Sequence, residues 1–349
     1  MSFSKRLIAW YDQHGRDLPW RHTQDPYIIW LSEIILQQTR VEQGMPYFMR
    51  FSEQYPTVQD FASADEDHIL NLWQGLGYYS RGRNMHKAAR MVVSDFAGIF
   101  PTAYDEVIKL PGVGEYTAAA ISSISANQAK AVLDGNVFRV LSRYFGVEVE
   151  INTPAGKKIF TELANEMLDA DDPARYNQAI MDFGAMQCKP KSPACGICIF
   201  NQECVVLKED KVHLLPLKKK GKGSRNRYFH YFIIEEDDKI MMSRRGEGDV
   251  WQNLYEFPMI ETTEPLSGLD ILKDERIKEY FSEDISLELK GNVIKHILSH
   301  QNIYAQFYKV NNPSALKLKK KSWNYVFLKD LNKLAQHKLI FSFIETNIS

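Results

Sequence analysis

Cysteine is scarce in this sequence, and long apolar runs and an excess of one charge sign are absent. No stretch reaches eighteen consecutive apolar residues, which excludes an ordinary membrane-spanning helix, and the charged N-terminus does not resemble a signal peptide. The 43 Lys and Arg nearly balance the 44 Asp and Glu, which argues against a generally basic nucleic-acid binder. We therefore expect a soluble cytoplasmic protein, and 349 residues suffice for two domains.

The positive charge is concentrated in a short connector. Residues 211 to 230 hold seven Lys or Arg and no acid, whereas residues 1 to 210 hold 20 basic and 26 acidic residues. A charged, glycine-bearing stretch without periodicity is typical of an extended linker, which here could also contact a DNA backbone. The sequence thus predicts a helical domain at 1–205, a basic linker at 206–227 and a second domain at 228–349.

The region around residue 112 carries the main motif, Leu-Pro-Gly-Val-Gly-Glu-Tyr, followed by a run rich in Ala and Ile. Val107 to Leu110 is predicted to end one helix and Glu115 to Ser125 to form another, which makes a helix-hairpin-helix. Gly112 and Gly114 would permit positive φ angles, and the unpaired N–H groups of the second helix would suit a phosphate. For the hairpin alone, an ordinary turn is the alternative.

Two acids stand out near this motif. Asp134, in Val-Leu-Asp-Gly-Asn-Val, is either an N-terminal helix cap or a carboxylate at the mouth of a groove beside the hairpin. Glu33 lies in a predicted helix, Tyr27 to Gln38, at the margin of its apolar face. Partial desolvation would raise the pKa of Glu33 and make it a proton donor near neutral pH, whereas a solvated helix residue is the alternative.

Aromatic and basic residues near predicted loops are candidate DNA contacts. Val58 to Leu72 is predicted to form one helix, and Gly-Leu-Gly then bends the chain before Tyr78, which could enter a base stack or close the core. Arg21 lies in another loop, Arg-Asp-Leu-Pro-Trp-Arg. Any DNA-binding face on this domain is expected to use backbone amides and a few such arginines.

All four cysteines lie within seventeen residues, as Cys188, Cys195, Cys198 and Cys204. Nothing else in the sequence indicates secretion, so a metal centre is favoured over disulfides. Zinc and an iron–sulfur cluster both accept four thiolates. From Tyr228 onward the pattern alternates as strand, turn and strand, which predicts a mixed α/β domain with a helical, acidic stretch from Leu266 to Leu289.

Together these motifs resemble the helix-hairpin-helix DNA glycosylases, and in detail the adenine DNA glycosylases of the MutY type. The resemblance includes Trp-Leu-Ser-Glu-x-x-Leu-Gln-Gln-Thr, the hairpin, Val-Leu-Asp-Gly-Asn-Val and the cysteine spacing. It implies a mainly α glycosylase domain with a [4Fe–4S] cluster loop at 188–204, and an α/β Nudix-like domain. It also implies a monomer that works on the chromosome, removing adenine opposite 8-oxoguanine or guanine in double-stranded DNA.

The resemblance also assigns roles to residues. Glu33 would be the general acid, Asp134 would stabilise the sugar cation, and Tyr116 and Asn136 would orient these groups. Tyr116 stands where strand-cleaving members carry a Lys, so a monofunctional enzyme without a Schiff base is implied. The implied DNA contacts are Gln38, Thr39, Tyr78, Gly112 and Gly114, together with Ser299 and His300, which would read 8-oxoguanine beside Leu298 in place of an aromatic residue.

Two other functions remain open at this stage. One is an endonuclease III type pyrimidine glycosylase, and the other is a non-catalytic iron–sulfur protein that binds DNA. Nudix hydrolysis is not expected, because Glu256, Glu261 and Glu264 do not form the Arg-Glu-x-x-Glu-Glu arrangement that binds metal in true Nudix hydrolases.

Overall fold

The computed structural model describes residues 1–221, 223–266, 268–317 and 320–348. These residues form two compact units, Met1–Ser63 with Asn84–Gly221, and Ala64–Arg83 with the described residues of Lys222–Ser349. The predicted linker at 206–227 includes Lys222, which lies outside the described residues. Within the described ranges, no helix is long and apolar enough to cross a membrane.

The N-terminal two thirds of the chain is helical, with apolar residues repeating at helical spacing and Asp, Ser or Thr at several N-caps. The helices are α1 Phe3–His14, α2 Pro26–Ile35, α3 Val41–Gln54, α4 Val58–Ser63, α5 Glu66–Leu72, α6 Ser80–Asp95, α7 Tyr104–Val107, α8 Glu115–Ala126, α9 Gly135–Phe145, α10 Pro154–Met167, α11 Pro173–Met186 and α12 Val205–Lys208.

Two predicted helices differ from the observed ones. The single helix predicted over 58–72 is interrupted, because the side chain of Asp65 accepts a hydrogen bond from the N–H of Asp67 and starts α5 as a new helix. The helix predicted to reach Gln38 ends at Ile35, and Gln38 takes a left-handed φ of 56°. A non-glycine residue in that region ends helical geometry.

The C-terminal residues form mixed sheets. The elements are β1 Arg225–Ile233, β2 Glu235–Glu236, β3 Lys239–Arg244, β4 Tyr255–Glu256, β5 Met259–Thr262, α13 Glu275–Tyr280, β6 Leu287–Ile297, β7 Gln301–Val310, β8 Trp323–Phe327 and α14 Lys338–Asn347. One sheet of the described residues has the order β5-β1-β7-β6, with β1 and β7 parallel and the other pairs antiparallel. In the second sheet β3 pairs with β2, β4 and β8.

The core of this second unit lies against one half of the first sheet. Phe232 and Tyr308 pack there with Ile277 and Phe281, which come from or follow α13. The stretch predicted to be helical between Leu266 and Leu289 is helical only in part, as a 3-10 turn at Gly268–Lys273 and α13, before β6 begins. Ser267 in this stretch lies outside the described residues.

Candidate active site

The hairpin between α7 and α8 is built around two glycines with different roles. Gly112 has a φ of 79°, and a Cβ there would lie 2.7 Å from the Cβ of Asn84, so this position requires glycine. Gly114 instead has a φ of −101° and caps α8, so the predicted positive φ is wrong for Gly114. A Cβ at Gly114 would meet no atom within 4 Å. Gly114 and the first residues of α8 line an open cleft, where a phosphate can approach the start of the helix.

Glu33 and Tyr116 meet across α2 and α8. The Tyr116 hydroxyl donates to Glu33 Oε2 at 2.7 Å, and it also lies 3.2 Å from Met181 Sδ. Burial raises the pKa of Glu33 and the negative charge of Asp134 adds to this, whereas the Tyr116 hydrogen bond and Arg21 oppose it. Burial also raises the pKa of Tyr116, which keeps its hydroxyl a proton donor.

Asp134 serves both of the roles left open by the sequence. It is the N-cap of α9, where its Oδ1 accepts from the backbone N–H groups of Asn136 and Val137 at 2.9 and 2.8 Å. Its Oδ2 accepts from the side-chain amide of Asn136 at 2.7 Å. Burial raises the pKa of Asp134, while these three donors lower it and so favour the carboxylate.

One cleft in the first unit holds both acids. Its volume is about 1610 Å³, and its walls include Glu33, Tyr116 and Asp134 together with Gln38, Gly112 and Gly114 of the predicted DNA contacts. The acids thus lie beside the hairpin and its exposed amides. Burial raises the pKa of both acids, but only Asp134 is held by helix N–H donors that favour its carboxylate. An acid and a carboxylate in one site are the two groups that glycoside hydrolysis requires.

The remaining predicted residues of the first unit have different surroundings. Arg21 points into the protein, because its guanidinium donates to the fully buried Asp182 at 3.1 Å and to the Tyr11 hydroxyl at 3.2 Å. With 10% of its side chain exposed, it is placed to act on the charges around Glu33 rather than on a phosphate. Thr39 is partly exposed just beyond Gln38, and it donates to the Gln37 carbonyl at 3.3 Å.

Tyr78 lies in the second unit, at the tip of a tight loop. Its φ is 48° and 48% of it is exposed, between the positive-φ residue Gly77 and the start of α6. The guanidinium of Arg81 lies 5.7 Å from the Tyr78 ring and 5.2 Å from the ring of Trp73. This loop therefore presents an exposed aromatic ring next to the Arg81 guanidinium. Of the two alternatives for Tyr78, the exposed position disfavours closing the core.

Ser299 and His300 form the tip of the hairpin between β6 and β7. Both are exposed, and the Leu298 N–H donates to the Gln301 carbonyl at 2.9 Å, which closes the turn. The His300 carbonyl accepts from the Arg225 N–H at 3.2 Å, so the tip is also held by the first residue of β1. Two polar side chains are thus presented to solvent on a short, braced turn.

The four cysteines follow α11 in the predicted loop and lie near α9. The Arg143 guanidinium donates to Cys188 Sγ at 3.5 Å, Cys204 Sγ lies 3.6 Å from the Arg143 carbonyl oxygen, and the Phe200 N–H donates to Cys198 Sγ at 3.4 Å. Among the described residues, no three His, Cys, Asp or Glu side chains form a group that could hold a metal ion. A single tetrahedral zinc would require all four cysteine sulfurs to lie about 2.3 Å from one metal ion. The four sulfurs that ligate an iron–sulfur cluster lie further from one another.

Arg139, which the sequence did not single out, contacts a predicted site residue. Its guanidinium donates to the Asn136 side-chain oxygen at 2.9 Å, to the Gly184 carbonyl at 2.6 Å and to the Cys188 carbonyl at 2.7 Å. It therefore connects the partner of Asp134 to the start of the cysteine loop. The available signal was an arginine pair, Arg139 and Arg143, at helical spacing on the otherwise apolar side of α9.

Comparisons with known families match both halves of the chain. Residues 31–166 match the HhH-GPD superfamily of base excision DNA repair proteins, and residues 230–346 match the NUDIX domain. The predicted helical glycosylase fold and the Nudix-like second domain are confirmed.

Alignments with curated relatives cover most of this sequence. An adenine DNA glycosylase from Buchnera aphidicola subsp. Baizongia pistaciae is 34% identical over 330 residues, which cover 90% of this chain and 93% of the relative. The corresponding protein from Buchnera aphidicola subsp. Schizaphis graminum is 36% identical over 79% of each chain. The human adenine DNA glycosylase is 40% identical over 58% of this chain and 39% of its own length.

Solved structures agree on the fold of the helical part. A thermostable thymine-DNA glycosylase aligns with a TM-score of 0.55 at 29% identity, covering 59% of this chain and 95% of its own. A non-covalent endonuclease III–DNA complex aligns with a TM-score of 0.51 at 20% identity, covering 59% of this chain and 94% of its own, which bears on the fold alone.

Proposed function

Since this chain belongs to the adenine DNA glycosylases, we propose that it hydrolyses the bond between adenine and its sugar, without cutting the strand, where adenine pairs with 8-oxoguanine or guanine. The observation that carries this proposal is the pairing of Glu33 and Asp134 in one cleft beside the hairpin. Position 116 supports the absence of a lyase step, because a tyrosine there offers no amine for a Schiff base. The proposed substrate is double-stranded DNA bound by a monomer.

The first step of the proposed mechanism is proton donation. Adenine rotates out of the duplex into the cleft, where the protonated Glu33 faces it. Burial raises the pKa of Glu33 and so favours its protonated form, and Tyr116 holds one carboxyl oxygen in place. The proton moves to a ring nitrogen of the base, so that adenine leaves as a neutral molecule.

The second step is stabilisation of the sugar cation. Asp134 is fixed by three hydrogen bonds at the start of α9, so its carboxylate does not need to reorganise as positive charge develops on the sugar. Water then attacks the sugar cation and gives up a proton to the Glu33 carboxylate, which returns that group to its acid form. This division of labour between one acid and one carboxylate parallels glycoside hydrolysis.

Recognition of the mispair is proposed to use exposed residues on both units. Gln38 and Tyr78 combine exposure with left-handed φ angles, and such strain occurs at functional sites. They are proposed to enter the duplex, with Thr39 beside Gln38 and Gly112 and Gly114 on a phosphate. Ser299 and His300 are proposed to hydrogen-bond the oxidised guanine.

One experiment tests this function directly. Single-turnover reactions are run on duplexes with adenine opposite 8-oxoguanine, adenine opposite guanine, and thymine glycol opposite adenine. We expect adenine release from the first two, strand breakage only after alkali, and no covalent complex on borohydride treatment. Release from thymine glycol alone, with spontaneous strand cleavage, would instead identify an endonuclease III type enzyme. Specific binding without base release would identify a non-catalytic protein.

The cysteine loop is proposed to hold a [4Fe–4S] cluster through Cys188, Cys195, Cys198 and Cys204. The donor set fits, because four cysteine sulfurs lie in one loop, where Cys188 accepts a hydrogen bond from the Arg143 guanidinium and Cys198 accepts one from a backbone amide. When bound, the cluster would supply a cross-link within this loop and a one-electron redox couple. Lys189 and Lys191, exposed in the same loop, would be free to meet phosphates.

The Arg139→Gln variant is expected to lose at least half of its iron and to release adenine about tenfold more slowly. The change leaves buried acceptors on Gly184 and Cys188 without their charged donor, at a cost of about 1–3 kcal/mol each. Iron analysis, visible absorbance and single-turnover rates measure both effects. The matched control is Arg175→Gln, since Arg175 pairs with acids at the surface. If Arg139→Gln keeps the iron content and the rate of the parent protein, Arg139 does not couple Asn136 to the cysteine loop.

The double variant Ser299→Ala, His300→Ala is expected to reduce the preference for 8-oxoguanine over guanine about tenfold. It removes the hydrogen-bonding groups at the tip of the β6–β7 hairpin, and a good pair of such bonds to one base contributes about 1–3 kcal/mol of discrimination. The ratio of adenine release rates from the two mispairs, measured below saturation, gives the result. Ser314→Ala, at another exposed position of the same unit, is the control. An unchanged ratio would exclude this loop from reading the lesion.

A further inference from the structure

The sheet that carries the Ser299–His300 tip has an uncovered half. Along β1, Phe232 and His230 are buried beneath the α13 region, whereas Tyr228 is partly exposed and Asn226 is fully exposed. These residues are two apart along β1 and therefore share one face of the sheet. The elements that cover this face thus end midway along the strand. We call the exposed half the tyrosine face, which comprises Asn226, Tyr228, Lys295, Ile297, Asn302 and Tyr304.

The tyrosine face is ordered in two rows across three strands. In the first row Tyr228 pairs with Tyr304, and Tyr304 pairs with Lys295. The two tyrosine rings stack at 5.3 Å, and the Lys295 ammonium lies 5.4 Å from the Tyr304 ring. This stacking holds the lysine and the aromatic rings in fixed positions while the lysine remains exposed.

The second row lies nearer to the hairpin tip. Asn226 pairs with Asn302, and the Asn302 side chain donates to the Asn226 side-chain oxygen at 3.0 Å. Ile297 is opposite Asn302 and is 70% exposed, two residues before Ser299. Val293, also on β6, is 50% exposed. Large apolar side chains exposed along one strand indicate an interaction surface.

The chemistry of this face fits a DNA backbone. Its polar groups are an ammonium, two amides and two phenol hydroxyls, which are donors that commonly bind phosphate oxygens, and none of its six residues is acidic. Ile297 offers an apolar contact to a sugar or base edge, next to the position where Leu298 replaces an aromatic residue.

We propose that the tyrosine face binds the sugar–phosphate backbone of the strand that carries the oxidised base, beside the base read by Ser299 and His300. This inference rests on the proposed function, because it places the lesion at the hairpin tip. It adds a contact that holds the DNA without reading its sequence. The face is thereby a determinant of affinity, whereas the tip is a determinant of specificity.

The test measures DNA binding by the full-length protein and its Lys295→Ala and Ile297→Ser variants. The probe duplexes carry 8-oxoguanine or guanine opposite an adenine nucleotide with a 2′-fluoro group, which resists loss of the base. We expect Lys295→Ala to weaken binding about threefold to tenfold, equally for both duplexes, and to lower the slope of affinity against salt by about one. Ile297→Ser is expected to weaken binding without changing that slope.

The matched control is Lys290→Ala, which removes the same charge from the same strand. Lys290 is opposite Phe307, on the other face of the sheet, and pairs with Glu288. If Lys295→Ala binds both duplexes with the same affinity and salt slope as Lys290→Ala, the proposal is wrong. The tyrosine face would then not bind DNA, and a protein would be its more plausible partner. Adenine release by the parent protein, measured separately, tests the proposed function and distinguishes its failure from a failure of this inference.

Discussion

Replacing Glu33 with Gln is expected to slow adenine release from an adenine·8-oxoguanine duplex about a thousandfold, with DNA affinity nearly unchanged. The amide keeps the size of the side chain and can still accept the Tyr116 hydrogen bond, but it has no acidic proton to give. Single-turnover rates with enzyme in excess measure the chemical step. The control is Glu53→Gln, the same change at an exposed position near the end of α3.

The pH dependence of the same variant sharpens this test. The protonated form of Glu33 is the active one, so the parent rate should fall as pH rises through the pKa of Glu33. Because burial raises that pKa, the fall should begin at a higher pH than for an ordinary carboxyl group. The residual rate of Glu33→Gln should lack this fall. A variant that releases adenine at the parent rate, or that keeps the same pH dependence, would show that another group is the acid.

Replacing Asp134 with Asn is expected to cost a similar factor, about a thousandfold in the single-turnover rate, while leaving thermal stability nearly unchanged. Asn caps a helix about as well as Asp, so the two backbone hydrogen bonds at the start of α9 are preserved. What is lost is the negative charge that faces the developing sugar cation, together with the one hydrogen bond from the Asn136 side chain. Both the rate and the thermal unfolding midpoint are measured, because the variant is expected to lower the rate without lowering the midpoint.

The control for Asp134→Asn is Asp65→Asn, the same substitution at the N-cap of α5. That change should leave both the rate and the midpoint near the parent values. If Asp134→Asn lowered the midpoint strongly and the rate only in proportion, Asp134 would be a helix cap without a chemical role. Such a result would leave Glu33 as the single catalytic carboxyl group in the cleft.

Much of this protein could be predicted from local sequence. Helical periodicity and caps located the helices that carry Glu33 and Asp134 to within a few residues, because spacing and capping act over one or two turns. Gly112 in the hairpin motif indicated a turn that requires positive φ, and the structure has it. The alternation after Tyr228 indicated strands. Similarity of the motifs to one family indicated the function.

Other features depend on contacts between residues distant in sequence. The grouping of 64–83 with the C-terminal residues follows from tertiary packing, which no local pattern encodes. The parallel pairing of β1 with β7, which leaves the tyrosine face open, joins residues about seventy positions apart.

The sequence alone therefore determined the family and the two-part architecture, and it indicated the pair of acids as candidates, because these depend on residue type and short-range spacing. Only the tertiary structure decided what surrounds them. In the folded chain Arg21 points inward and donates to Asp182, and Gln38 has a left-handed backbone. Arg139 donates to both Asn136 and Cys188. The physical reason is that hydrogen bonds, burial and backbone strain at these positions are set by groups that the folded chain brings together from distant segments.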